Sequence, residues 1–196
     1  MIMNLKLFIL ASFVGLFLSL GVCGQEAEAE KIALEGCKLT NLYKIDEGVY
    51  RSEQPSSIDF KVLEEYGIGE ILNLRNRHSD DDEAKGTGLT LHRVRTKAHA
   101  INEKQLIASL RIIYHRKRPV LIHCHHGSDR TGAVCALYRI VFQGFSKERA
   151  IEEMVRGGFG FHRIYQNIIR LIRRADIERI RKEVCSTDCT DTVSDL

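Results

Sequence analysis

Residues 118–132 read RPVLIHCHHGSDRTG, and this run constrains the fold more than any other. Val120, Leu121 and Ile122 form a short apolar run of the kind that makes a buried strand. From Thr131 to Phe142, Ala133, Val134, Leu137, Ile140 and Val141 recur at helical spacing. The stretch between them, Cys124–Arg130, has to turn a buried strand into a helix within a few residues. Such units are built in layers, with helices packed on a sheet.

The rest of the chain reads the same way. Val49–Arg51 begins a strand, Gln54–Ser57 makes a turn, and Ser57 caps a helix over Asp59–Tyr66 that Gly67 stops. Glu70–Leu74 is an apolar strand, 75–88 a long polar loop, and Leu89–Val94 another strand. Asn102 caps a helix over Glu103–His115, Ser146 caps Lys147–Val155, and a final helix spans about 163–184. Strands alternating with helices give one α/β domain with a central sheet flanked by helices.

The loop has its own chemistry. Successive backbone N–H groups in a strand-to-helix turn can converge into an anion-binding concavity, and the helix N-terminus adds its unpaired N–H groups and dipole. Arg130 offers a planar fork that bonds two phosphate oxygens at once. The same field favours the thiolate of Cys124, placed for in-line attack on a bound phosphoryl group. Gly127 and Gly132 permit close backbone approach, and the Thr131 hydroxyl can donate to the sulfur as it leaves. Against this stands the ordinary fate of a free cysteine, which is to be buried in a core.

HCHHGSDRTG (123–132) resembles the signature loop of the cysteine-dependent protein tyrosine and dual-specificity phosphatases. GVYRSEQPSSIDFKVLEEYGIGEILNLR (48–75) and GGFGFHRIYQNI (157–168) are similar to flanking segments of small bacterial dual-specificity-like members. The resemblance implies a metal-free, cofactor-free phosphatase in which Cys124 is the nucleophile and Arg130 the phosphate clamp. It implies that His123 shapes the loop, that Thr131 assists hydrolysis of the intermediate, and that His125, His126, Gly127, Ser128 and Asp129 bind phosphate through backbone N–H groups. The expected substrates are phosphotyrosine or phosphoserine/threonine proteins, or small phosphoesters. Inositol phosphates and phosphoinositides are the alternative, with a rhodanese-type sulfurtransferase or a non-catalytic phosphate-binding module behind them.

One departure stands out. The family usually draws a general-acid Asp from a loop roughly thirty residues before the cysteine. Here that region, RVRTKAHAINEKQ (93–105), holds no Asp, and the chain has no Trp. His99, Glu103 and the cluster Asp80-Asp81-Asp82 are the remaining proton donors, with Asp82 taken as the site residue; solvated loop charges are the competing reading of the cluster.

The 196 residues carry a formal charge of +3, too small a basic excess to suggest nucleic acid. Residues 1–24 read as a targeting segment, with Lys6 before an apolar Leu7–Leu20 that is short for a membrane span. Cleavage after Gly24 would release a soluble periplasmic protein; the imperfect lipobox before Cys23 would instead anchor it to a membrane by lipid, and an uncleaved anchor is the third route. Residues 25–184 form the phosphatase domain and 185–196 a polar tail. In an oxidising compartment Cys185 could pair with Cys189, or Cys37 with either, while Cys135 reads as a core residue. No metal-ligand spacing is present. Gly157–Phe161 reads as a turn packing two aromatics, or else as a mobile lip. The arginines of the last helix read as a solvated face.

Overall fold

The computed structural model describes residues 28–186. The expected targeting segment with Cys23, and residues 187–196 with Cys189, lie outside the described residues. In chain order the elements are β1 (Glu30–Lys31), β2 (Tyr43–Asp46), β3 (Val49–Ser52), α1 (Ser57–Glu65), β4 (Glu70–Arg75) and β5 (Thr90–Thr96). A 3-10 turn, Ala98–Ala100, leads to α2 (Glu103–His115), β6 (Val120–His123), α3 (Asp129–Gln143), α4 (Lys147–Arg156), α5 (Gln166–Arg174) and α6 (Ile177–Cys185). The strands form one six-stranded sheet in the order β1-β2-β3-β6-β4-β5. β3, β6, β4 and β5 run parallel, with β6 central, and β1 and β2 add antiparallel at one edge.

Alternation along the strands divides the core. Tyr50, Ile71 and Leu121 face α1 and pack with Phe60 and Leu63. Val49, Leu72, Leu74, Val120 and Ile122 face the opposite side and pack with residues of α2 through α6. A parallel sheet covered on both faces needs such continuous apolar strands, which is why VLI and ILNL are so hydrophobic. The carboxyl ends of β3, β4, β5 and β6 share one edge, where open α/β sheets place their ligands.

Several boundaries differ from the sequence reading. The N-cap of α1 is Ser56, not Ser57: its hydroxyl accepts from Asp59 N–H, and Asp59 accepts from Ser56 N–H in return, closing a capping box. α3 starts at Asp129, so Arg130 and Thr131 lie in its first turn. The last helix is two. Ala175 leaves the helix at φ −57°, ψ 132°, and Asp176 caps α6 by accepting from Arg179 N–H. Lys147 Nζ donates to the carbonyls of Arg173 and Ala175, satisfying the end of α5. The short edge strands β1 and β2 were not expected.

The Cys37–Cys185 pairing is ruled out by placement. Cys37 lies beside Asp59 of α1, on one face of the sheet, and Cys185 beside Tyr114 of α2, on the other. Both are free thiols. Cys135 is the expected core residue, 2% exposed, with its thiol pushed up to about 11 by burial. Arg179 pairs with Glu103 and Glu183 and Arg181 with Glu178, as a solvated helix face would.

Candidate active site

Cys124 follows β6 directly and is almost wholly buried. Three successive carbonyls beyond it are drawn outward by protein donors. Gln54 N–H donates to His125 O (3.2 Å), Asn41 Nδ2 to His126 O (2.9 Å), and Arg51 Nη2 to Gly127 O (2.6 Å). The loop amides are left for something else: among the described residues, the N–H groups of His125 to Thr131 donate to no protein acceptor. No side chain caps α3 either. Seven amides in a curled loop at a helix start make a cradle for a tetrahedral oxyanion. Gly127 sits at φ +70°, and a Cβ there would lie 2.6 Å from the backbone of Ser52 and Glu53. The loop is thus pressed against the end of β3 as only glycine allows.

Arg130 leaves the first turn of α3 toward the ends of β4 and β5. Its Nη1 donates to Leu74 O and Thr96 O, both at 3.4 Å, which fixes one arm of the fork and leaves the other nitrogens free to bond phosphate. Thr131 Oγ1 is buried with no protein partner among the described residues. The donation to Cys124 that the sequence suggested is therefore not made in this state, and the hydroxyl is available.

His123 lies on the α1 face, fully buried, with Nε2 2.8 Å from Asp80 Oδ2. Asp80 Oδ1 accepts from Gln54 Nε2 (2.9 Å), and Gln54 Oε1 accepts from Arg75 (3.0 Å). Burial alone would raise the Asp80 carboxyl, but the bonds from His123 and Gln54 prevail and hold it below its ordinary value. Asp80 is therefore an ionised partner of His123. Of the cluster Asp80–Asp82 it alone joins the loop; Asp81 and Asp82 are exposed in the turn beyond. Asp82, the expected site residue, is exposed, and it is Asp80 that meets the loop, as the support of His123. Glu103 is spoken for by Arg179 on the far side of α2. His99 is exposed in the 3-10 turn just after Thr96, beside the edge that Arg130 occupies.

The mouth is cationic. His125 and His126 are exposed with rings 4.4 Å apart, and one cleft is lined by Arg75, Asn76, Arg77, His78, His125 and Arg130. Partial burial, then His126, Arg75 and Arg130, hold the His125 imidazole below its usual value. On the other side His162 stands 5.6 Å from His126. The Asp129 carboxylate accepts from His162 N–H (2.8 Å) and lies 2.9 Å from its Nδ1. His78, Asp80 and Glu83 bring one ligand atom each within 4.8 Å of one another. Both Asp80 oxygens in that group already accept hydrogen bonds.

A family model described as "Polymorphic toxin system, DSP-PTPase phosphatase" matches residues 46–144. The dual specificity protein phosphatase TpbA of Pseudomonas aeruginosa is 32% identical over 154 residues, covering 76% of this chain and 69% of that one. The chain belongs to the dual-specificity phosphatase family. A crystal structure of TpbA superposes with a TM-score of 0.72 at 28% identity, over 83% of this chain and 99% of TpbA. TpbA with a cysteine-to-serine substitution, in complex with phosphotyrosine, gives 0.71 at 28%, over 82% and 98%. The catalytic core of the PP-IP phosphatase Siw14 from S. cerevisiae, in complex with citrate, gives 0.61 at 27%, over 73% and 91%.

For a dual-specificity phosphatase, the loop from His123 to Thr131 lies where the sequence put it. Three contributors escaped the sequence reading: Asp80 as the partner of His123, the Asp129–His162 pair, and Arg51 under Gly127. Each joins segments distant in sequence, and no local pattern marks such partners. The turn 157–161 is structural, with Phe159 buried edge-on against Tyr43, ring centroids 4.8 Å apart. It also borders the site, since Asn41 bridges Phe159 O and His126 O.

Proposed function

We propose that this phosphatase hydrolyses phosphotyrosine and phosphoserine/threonine in proteins through a cysteinyl-phosphate intermediate. The Cys124 thiolate attacks phosphorus and the ester oxygen leaves with a proton. Water then attacks the phosphocysteine, the sulfur departs as thiolate, and inorganic phosphate is released. Arg130 clamps two equatorial oxygens, the loop amides bind the rest, and Thr131 Oγ1 donates to the departing sulfur. The observation that carries this reading is the row of free loop amides over a buried cysteine, with three carbonyls tied back by Gln54, Asn41 and Arg51. The likeness to TpbA, whose structure holds phosphotyrosine, supports the substrate class.

A second reading is an inositol phosphate or pyrophosphate substrate. The cationic cleft of Arg75, Arg77 and Arg130 favours it, as does the likeness to Siw14. Phosphate release from phosphotyrosine, phosphoserine and phosphothreonine peptides, set against inositol phosphates, tests both. Turnover of inositol substrates alone would overturn the protein-phosphatase reading. We further infer export, periplasmic or lipid-anchored at Cys23, from Lys6 and the apolar run Leu7–Leu20. Intact mass of the mature protein tests this, and a product beginning at Met1 would refute it.

A further inference from the structure

Arg51 is among the largest fully buried side chains, 1% exposed, on β3 directly beneath the phosphate loop. Its Nη2 donates to Gly127 O at 2.6 Å. Its guanidinium carbon lies 3.7 Å from the centre of the Phe159 ring, and its Nε is buried with no partner among the described residues. No carboxylate pairs with it among those residues. A buried arginine is ordinarily paired, because desolvating a lone charge is unfavourable.

Burial weighs most against its charge, and Cys135, Cys124, Glu153 and Tyr43 offset this. On the sheet Arg51 pairs in register with Ile122, two residues before Cys124 and in the same core cluster as it. Glu153 is already bound by Arg139, which donates from Nε to Oε2 (3.0 Å) and from Nη2 to Oε1 (2.7 Å). Burial keeps Cys135 a neutral thiol at neutral pH. Tyr43 offers no carboxylate and packs edge-on against Phe159. Cys124 is the remaining group that can answer the charge.

We propose that Arg51 is a positioning residue that acts as the buried counter-charge of the Cys124 thiolate while holding the Gly127 carbonyl away from the pocket. This rests on the reading of Cys124 as the nucleophile. The guanidinium stays out of contact with substrate: it approaches the loop from behind, through a carbonyl, whereas Arg130 meets phosphate from the front. The two arginines divide the work. Arg51 supplies a fixed positive charge before substrate arrives, and Arg130 a fork that engages once it has bound.

The test uses iodoacetamide alkylation of Cys124 as a function of pH, read by peptide mass, which needs no turnover. Arg51→Gln keeps a donor for Gly127 O but removes the charge, and Arg51→Lys keeps the charge. Arg51→Gln should move the alkylation profile up by about one pH unit or more, the size expected for losing a close opposite charge. Its kcat/KM on p-nitrophenyl phosphate should fall about tenfold or more on the acid side, with the gap closing as pH rises. Arg51→Lys should stay close to wild type in profile. A folded Arg51→Gln with the wild-type profile overturns the proposal. Should Arg51→Gln fail to fold, the wild-type profile stands in its place: a midpoint below the free-thiol value of about 8.5 is expected, and one at or above it overturns the proposal. Turnover by Cys124→Ser would instead overturn the nucleophile reading, leaving the alkylation result to judge Arg51 by itself.

Discussion

His123 donates from Nε2 to Asp80 Oδ2 at 2.8 Å, with both side chains buried under the phosphate loop. The carboxylate sets the orientation of the ring, and the ring stands immediately before the nucleophile. Asp80 sits in a turn, so the loop 76–86 is part of the site's foundation.

Asp80 is held below its ordinary value in the folded chain. Its contribution to stability is therefore complete above the unfolded carboxylate's value, about 3.9. It is lost as pH falls through the lower folded value. Asp80→Asn should cost about 2 kcal/mol at neutral pH, the scale of a hydrogen bond to a charged group. It should also flatten the acid limb of the stability curve. Urea unfolding from pH 7 downward measures both; a variant with the wild-type acid limb would show that Asp80 is not what titrates.

Cys124→Ser is expected to abolish turnover while vanadate or tungstate still binds the loop amides. Calorimetric titration of the variant, beside a phosphate-release assay, checks this. Appreciable residual turnover would sink the covalent mechanism.

Arg130→Lys keeps charge but cannot span Leu74 O, Thr96 O and two phosphate oxygens together. A fall in kcat of about a hundredfold or more is expected, as for losing a preorganised oxyanion donor. An effect confined to KM would mean that the fork contributes only to ground-state binding.

Two exposed histidines near the mouth are candidates for the proton donor: His99 beyond Thr96, and His162, whose Nδ1 lies against Asp129. Plots of kcat against leaving-group pKa should steepen for the variant that removes the true acid, His99→Ala or His162→Ala. Alkyl phosphates would suffer far more than aryl ones. Asp82→Asn should match wild type. A steep slope in Asp82→Asn would restore the exposed aspartate to the reaction.

The phosphate loop was legible because its chemistry is local: strand, curled backbone, nucleophile, clamp and helix start lie within 118–132. Asn102 marked α2 to the residue. The adjacent Ser56 and Ser57 misled by one, although Asp59, three residues after Ser56, singles out the true cap. The break at Ala175 carries no glycine or proline, and only Asp176 hints at a new helix start. Strands as brief as β1 and β2 are too short for alternation to register. Arg51 and His162 were illegible as site residues, and Asp80 was legible only as one of three aspartates with another task, because each acquires its partner across the fold rather than along the chain.

That last point bears on how the enzyme comes into being. His123 reaches back 43 positions to Asp80, Gly127 back 76 to Arg51, and Asp129 forward 33 to His162. All three loops must close before the cradle exists, and parallel pairing of this kind forms slowly because closure entropy precedes its reward. No fragment that begins after Arg51 or ends before His162 can hold all three contacts. An oxyanion recognises only the finished article, so vanadate should retard unfolding in a chevron plot and leave the refolding limb where it was.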